Sequence, residues 1–282
     1  MPFFSVVAGS TYVLLCGVLL PVYLRFIYIF LSKKKYRSLR CYRIMVQMGI
    51  VQCLSMAPGF MLFGIAMILQ YDPYGLANFF IALYPGGLRI EAVLGLVLAL
   101  NRLEIICGFR PSRMAYLTLA IIAWMFGLTY IAILHTPYFG YTVSPKDFMP
   151  KYDPDKGFNR ELQHYGYYVY AAPMVITLFI YIYILGYLIR LRTTHAGKIK
   201  RQERTIFAYA IIKFTMEFSL ALGFNHYPFP HSPAFHFAMS LGLILSTMFL
   251  TPALYFALYC NLRREFFNFQ SECTITVRSI SS

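Results

Sequence analysis

Seven stretches of this chain are too apolar and too long for a soluble fold. They fall at about residues 9–31, 44–70, 78–105, 115–135, 165–189, 205–223 and 234–259. Each is close to or above the roughly 20 residues a helix needs to cross a bilayer core. Short polar segments separate them. With 59% hydrophobic and only 13% charged residues, the chain cannot cover a soluble surface with charge. A membrane β-barrel would alternate apolar and polar positions over about ten residues at a time, and no such alternation is present. The expected fold is an all-α membrane protein, a seven-transmembrane helix bundle.

The basic residues orient the bundle. The net charge of +14 would suit nucleic acid if it were spread out, but it is sorted by segment. Of the 25 Lys and Arg, 18 fall at the inner end of the third span (Arg102), in the segments after the first, third and fifth spans, and in the tail. The remaining connections carry four, all in the long 136–164 loop, where four acidic residues balance them. Basic loops stay cytoplasmic, so the N-terminus lies outside and the C-terminus inside. Basic loops on that side face anionic lipid, not nucleic acid. The first span is too long for a signal h-region, and Lys33-Lys34-Lys35 flanks it on the wrong side for one. Residues 261–269 (NLRREFFNF) are basic on one side and aromatic on the other, which predicts a short amphipathic helix in the interface after the seventh span. The expected organisation is a receptor domain over 1–260, that helix over 261–269, and a disordered cytoplasmic tail over 270–282. Pro21, Pro58-Gly59, Pro85-Gly86-Gly87 and Pro173 predict kinks or breaks.

Two pairs of charges lie inside spans: Arg89 and Glu91 in the third, Lys213 and Glu217 in the sixth. Charges in lipid are costly, so they face the bundle interior and pair. Glu91 lies eleven residues above Arg102, about 16 Å along a helix and about 20° around it. Lys213 lies nine residues above Arg204, about 14 Å deep. The two match in depth and differ in sign, which predicts an ion pair between the third and sixth spans. Three roles fit it: an inert packing pair, a pair made or broken on activation, or a ligand contact. Lys213 and Glu217, four residues apart, can also satisfy each other. Arg89 is about 200° from Glu91 and cannot share its face. Tyr84, Tyr168, Phe218 and Tyr227 are candidates for a π-rich ligand pocket; packing between helices is the simpler account of them.

Other chemistries are poorly served. His226, His231 and His236 are spaced by five and have no Cys or carboxylate beside them in sequence, so no metal site is expected. No zincin, nucleophile-elbow or dinucleotide motif occurs, so neither an enzyme nor a cofactor is expected. A retinal Schiff base is excluded because no lysine follows Lys213, whereas an opsin carries its lysine on the last span. A transporter or channel would run its path along Glu91, Lys213 and Glu217, but the chain shows no internal repeat. A non-signalling, degenerate receptor is the other alternative.

Asn101-Arg102 at the end of the third span, Trp124 in the fourth and Thr251-Pro252-Ala253-Leu254-Tyr255 in the seventh resemble a rhodopsin-like G-protein-coupled receptor. CYRIMVQMGIVQC (41–53), LALNRLE (98–104) and the NLRREFF ending are similar to the nematode serpentine chemoreceptors, class T or an allied class. The resemblance implies a chemosensory, olfactory-type receptor in the plasma membrane, in sensory cilia, that binds a small molecule and signals to a heterotrimeric G protein. It implies that Arg102 contacts the G protein or locks the inactive state, with Lys198, Lys200, Arg201 and Arg204 completing a basic inner cavity. Asn101, Pro252 and Tyr255 would form the activation switch. Asn101 stands where an acid is usual and Thr251 where an asparagine is usual. The cysteine expected atop the third span is absent; Phe79 and Phe80 stand there.

Overall fold

The computed structural model describes residues 2–108, 112–144, 148–193, 201–226, 232–258 and 260–267. They form the expected seven-helix bundle. The first span is α1 (Pro2–Ser32), followed by the short α2 (Lys34–Arg37) in the basic loop. The second span is two helices, α3 (Arg40–Ser55) and α4 (Ala57–Leu69), broken at Met56, with Pro58 in the first turn of α4. Proline is tolerated there because the first-turn N–H groups have no helical acceptor. The third span is α5 (Leu76–Ile81) and α6 (Leu83–Cys107). The fourth is α7 (Arg113–Leu134), the fifth α8 (Asn159–Thr193) and the sixth α9 (Arg201–His226). The seventh is α10 (Pro233–Ile244) and α11 (Leu250–Leu258), joined by one π-helical turn over Leu245–Phe249. The amphipathic α12 (Cys260–Phe267) follows. Among the described residues, five spans are long and apolar enough to cross a membrane by length and composition alone. The third and sixth are not among these, and they carry the internal charges.

Two breaks differ from expectation. The third span breaks at Ala82, ahead of Pro85-Gly86-Gly87, which lies inside α6. The glycines serve packing. A Cβ on Gly86 would stand 2.8 Å from the Gly127 carbonyl oxygen, and one on Gly127 would stand 2.9 Å from that of Gly86. Two helix backbones meet there, as small residues allow in a membrane. In the seventh span Pro252 has no N–H for the carbonyl four residues back, and its ring crowds that turn. The wider π turn, Leu245–Phe249, contains Met248, the residue four back from Pro252.

The long outer loop is more ordered than its composition suggests. Tyr141–Thr142 (β1) and Lys151–Tyr152 (β2) pair antiparallel. Polar side chains anchor the hairpin. Asn78 Oδ1 accepts from Val143 N–H at 2.8 Å, and Asp72 in turn accepts from Asn78 Nδ2 at 2.8 Å. Asn159, buried at the start of α8, accepts from Gly140 N–H and donates to the Gly140 and Asp153 carbonyls. Phe148 reaches the first and seventh spans, where its carbonyl accepts from Tyr12 (2.9 Å) and Ser240 (3.0 Å). These bonds hold the loop over the outer end of the bundle.

Candidate functional site: an outer cavity over a buried ionic cluster

A cavity opens under the hairpin. It admits a water-sized sphere over about 100 Å³. Tyr84, Pro85, Leu88 and Arg89 line it from α6, and Gly166, Tyr167 and Tyr170 from α8. Glu217 and Leu220 come from α9, Leu243 from α10, and Ser246 and Thr247 from the π turn. Tyr141 and Tyr152 form the roof. Tyr152 shares a 2.8 Å hydrogen bond with Tyr130 of α7, which fixes the roof to the bundle. Burial, and the Tyr152 phenol beside it, push the Tyr141 phenol above its ordinary range, while Arg89 pulls the other way. Tyr141 is therefore neutral and can act as a hydroxyl donor.

Beneath the cavity lies the ionic cluster. Lys213 Nζ donates to Glu91 Oε1 at 2.5 Å and also to Glu217 Oε1. The side chains of Lys213 and Glu91 are each 4% exposed, and Glu217 is 18% exposed on the cavity side. The pairing expected from matched depth is present, with one difference: the lysine is shared by two carboxylates. The bonding continues outward from Glu91. Gln52 of α3 donates its amide N–H to Glu91, and Tyr23 of α1 donates its hydroxyl to Gln52. One buried relay thus joins the first, second, third and sixth spans. The sequence marks Gln52 only as a polar residue in an apolar run, and nothing in it singles out Tyr23.

Of the aromatic candidates, Tyr84 lines the cavity. Tyr168 does not. It is 58% exposed on the outside of α8, and Tyr167 and Tyr170 face inward instead. Residues three apart share a helix face, and the intervening position turns away. Phe218 stacks on Phe214, with ring centroids 5.5 Å apart, away from the cavity lining. Tyr227, Lys198 and Lys200 lie outside the described residues. Arg201 and Arg204 fall in the first turn of α9.

At the inner end, Arg102 is fully buried at 0% exposure and donates to Asn101 Oδ1 at 2.7 Å. The position near the membrane edge would leave this head group wet; the packed helices around it enclose it instead. The acid of the same stretch, Glu104, is engaged elsewhere. It accepts from Arg40 of α3 at 2.8 Å and from the Tyr116 hydroxyl of α7 at 2.7 Å, and the Arg40 guanidinium lies 4.3 Å over the Tyr116 ring. Pro252 and Tyr255 are buried, and Tyr255 packs edge-on against Phe26 and Phe30. Phe266 of α12 packs on Phe26 and Phe256, docking the amphipathic helix against the first and seventh spans.

The model of the serpentine type 7TM GPCR chemoreceptor family Srv matches residues 12–229. The chain belongs to this family. The motifs suggested class T or an allied class; the class matched is Srv. No curated protein matches the sequence at a significant level. Among solved structures, the crystal structure of squid rhodopsin superposes with a TM-score of 0.71 at 11% identity, covering 94% of this chain and 84% of that one. At that identity the likeness carries the fold alone. This Srv chain is therefore a multi-pass membrane receptor of GPCR type and not an enzyme. Its third span is tied to its sixth by Glu91 and Lys213, with the cavity directly above.

Proposed function

We propose that this Srv receptor binds a small-molecule cue in the outer cavity at the plasma membrane, including that of sensory cilia, and signals to a heterotrimeric G protein. The observation that carries the reading is the contact between cavity and cluster: Glu217 is at once a wall residue and a partner of Lys213. A ligand can shift an equilibrium only through different contacts in the two states. A ligand whose contacts or charge bear on Glu217 changes how Lys213 divides itself between Glu217 and Glu91. That alters the tie between the sixth and third spans. Movement of the sixth span away from the third then exposes Arg102 and the basic inner residues Lys198, Lys200, Arg201 and Arg204 to the G protein. Asn101, Pro252 and Tyr255 take part by rearranging around the π turn.

The test is G-protein recruitment in cells that display the receptor, wild type against Arg102→Ala, across volatile and soluble small molecules. A response lost in the variant at equal surface display supports coupling through Arg102. An unchanged response refutes it.

A further inference from the structure

The cavity contains a cation that the ionic cluster does not use. Arg89 is 5% exposed. Among the described residues it has no carboxylate within ion-pair distance, and it donates a single hydrogen bond, Nη1 to the Pro85 carbonyl at 2.6 Å. A guanidinium has five N–H donors. Here Nε is buried with no acceptor. The remaining support is the Tyr130 ring, whose centroid lies 3.4 Å from the guanidinium carbon. The packing reserves this position: a Cβ on Gly166 of α8 would come within 2.6 Å of Arg89 Nη2. Glu91 points to another face, and Glu217 is engaged by Lys213. A buried cation left without an anion is costly, and planar recognition of a carboxylate is what its free donors suit.

Building on the receptor reading above, we infer that Arg89 is the anchor for a ligand anion, and that the cue taken by this cavity is a small monocarboxylate with an apolar or aromatic body. The single charge follows from the wall opposite. Glu217 lines the same cavity, so a doubly charged phosphate would meet one cation and one anion. The body follows from Tyr84, Leu88, Leu220 and Leu243, which make up much of the remaining lining. In the roof, the Tyr141 hydroxyl, which donates only a long 3.4 Å bond to the Pro150 carbonyl, can turn to a carboxylate oxygen as a further donor.

The test is thermal unfolding of the purified, full-length receptor with benzoate and hexanoate at millimolar concentration, against benzamide and hexanamide of the same shape. The acids raise the wild-type Tm by about 2–4 °C once several-fold above their Kd, and the amides do not. Arg89→Gln abolishes the difference between acid and amide. Arg89→Lys keeps the charge without the planar fork and retains part of it. Equal shifts for acid and amide, or no shift with either in folded wild-type protein, overturn the inference, as does an acid-specific shift that survives Arg89→Gln. If Arg89→Gln fails to fold, the wild-type comparison and Arg89→Lys still decide. Because binding is read without a G protein, acid binding without recruitment would count against the signalling reading alone, and recruitment by neutral or cationic cues with potencies unchanged in Arg89→Lys would count against Arg89 alone.

Discussion

Removing the ammonium at Lys213 tests the ionic cluster most directly. Lys213→Met keeps the apolar stem and leaves Glu91 and Glu217 facing each other without a cation. Both lie in a site where Lys213 and Glu91 are only 4% exposed. Breaking a buried pair from one side costs about 3–5 kcal/mol because the remaining charge has no partner. Here two carboxylates are stranded, so the upper end applies until one of them takes up a proton. For a chain of this size each kcal/mol corresponds to about 2–4 °C in Tm, giving a fall of roughly 10–20 °C. Glu217→Gln should cost far less, because the Lys213–Glu91 bond survives and the amide can still accept. Cys16 and Cys53 are buried thiols outside any disulfide, so a thiol-reactive dye reports unfolding of the receptor directly. The geometry also sets the terms for charge exchange. Glu91→Lys/Lys213→Glu rebuilds the interhelical pair but places the introduced carboxylate four residues from Glu217 on the same helix. Rescue is therefore partial, and adding Glu217→Gln should complete it. A Lys213→Met receptor that unfolds within about 2 °C of wild type would refute the energetic reasoning, since a stranded buried pair cannot be that cheap.

Further outcomes follow from the packing. Gly127→Val drives a side chain into Ile90 and the Gly86 carbonyl and should cost about 1–3 kcal/mol or more, seen as lost surface display, whereas Gly17→Ala meets nothing within 4 Å and should be neutral or slightly stabilising. Asn78→Ala removes the acceptor for Val143 N–H and should loosen the outer hairpin by about 1–3 kcal/mol, read as faster hydrogen exchange over residues 141–152 with the spans unchanged. Arg40→Gln breaks a pair whose members are a third and a quarter exposed and should change Tm little, by about 0–1 kcal/mol in stability, in contrast with the Lys213 variant.

The likeness of Asn78 and Asn159 in their roles has a physical basis. The outer loop has no cysteine to fix it to the third span. Two amides instead satisfy loop backbone groups from the top of that span and from the start of the fifth. Asparagine carries both a donor and an acceptor, so one side chain can replace several missing strand bonds. The sequence displays these asparagines as ordinary polar residues, because their partners lie 65 and 19 positions away.

Much of this receptor was determined by the sequence alone. The number of spans, their order and their orientation follow from hydrophobic length and from where the lysines and arginines fall, and both are local properties. The meeting of Glu91 with Lys213 was also legible, since rise per residue fixes how deep a side chain sits. Rotation and burial were not. Tyr167 and Tyr170 face the cavity while Tyr168 faces outward, and Arg102 is enclosed rather than wet. The relay through Gln52 and Tyr23, the second carboxylate on Lys213 and the isolation of Arg89 likewise depend on which helix lies beside which. Depth along a helix is set by the chain itself, whereas the direction a side chain faces, and what it meets there, is set by the tilt and contact of neighbouring helices, which only the tertiary structure decides.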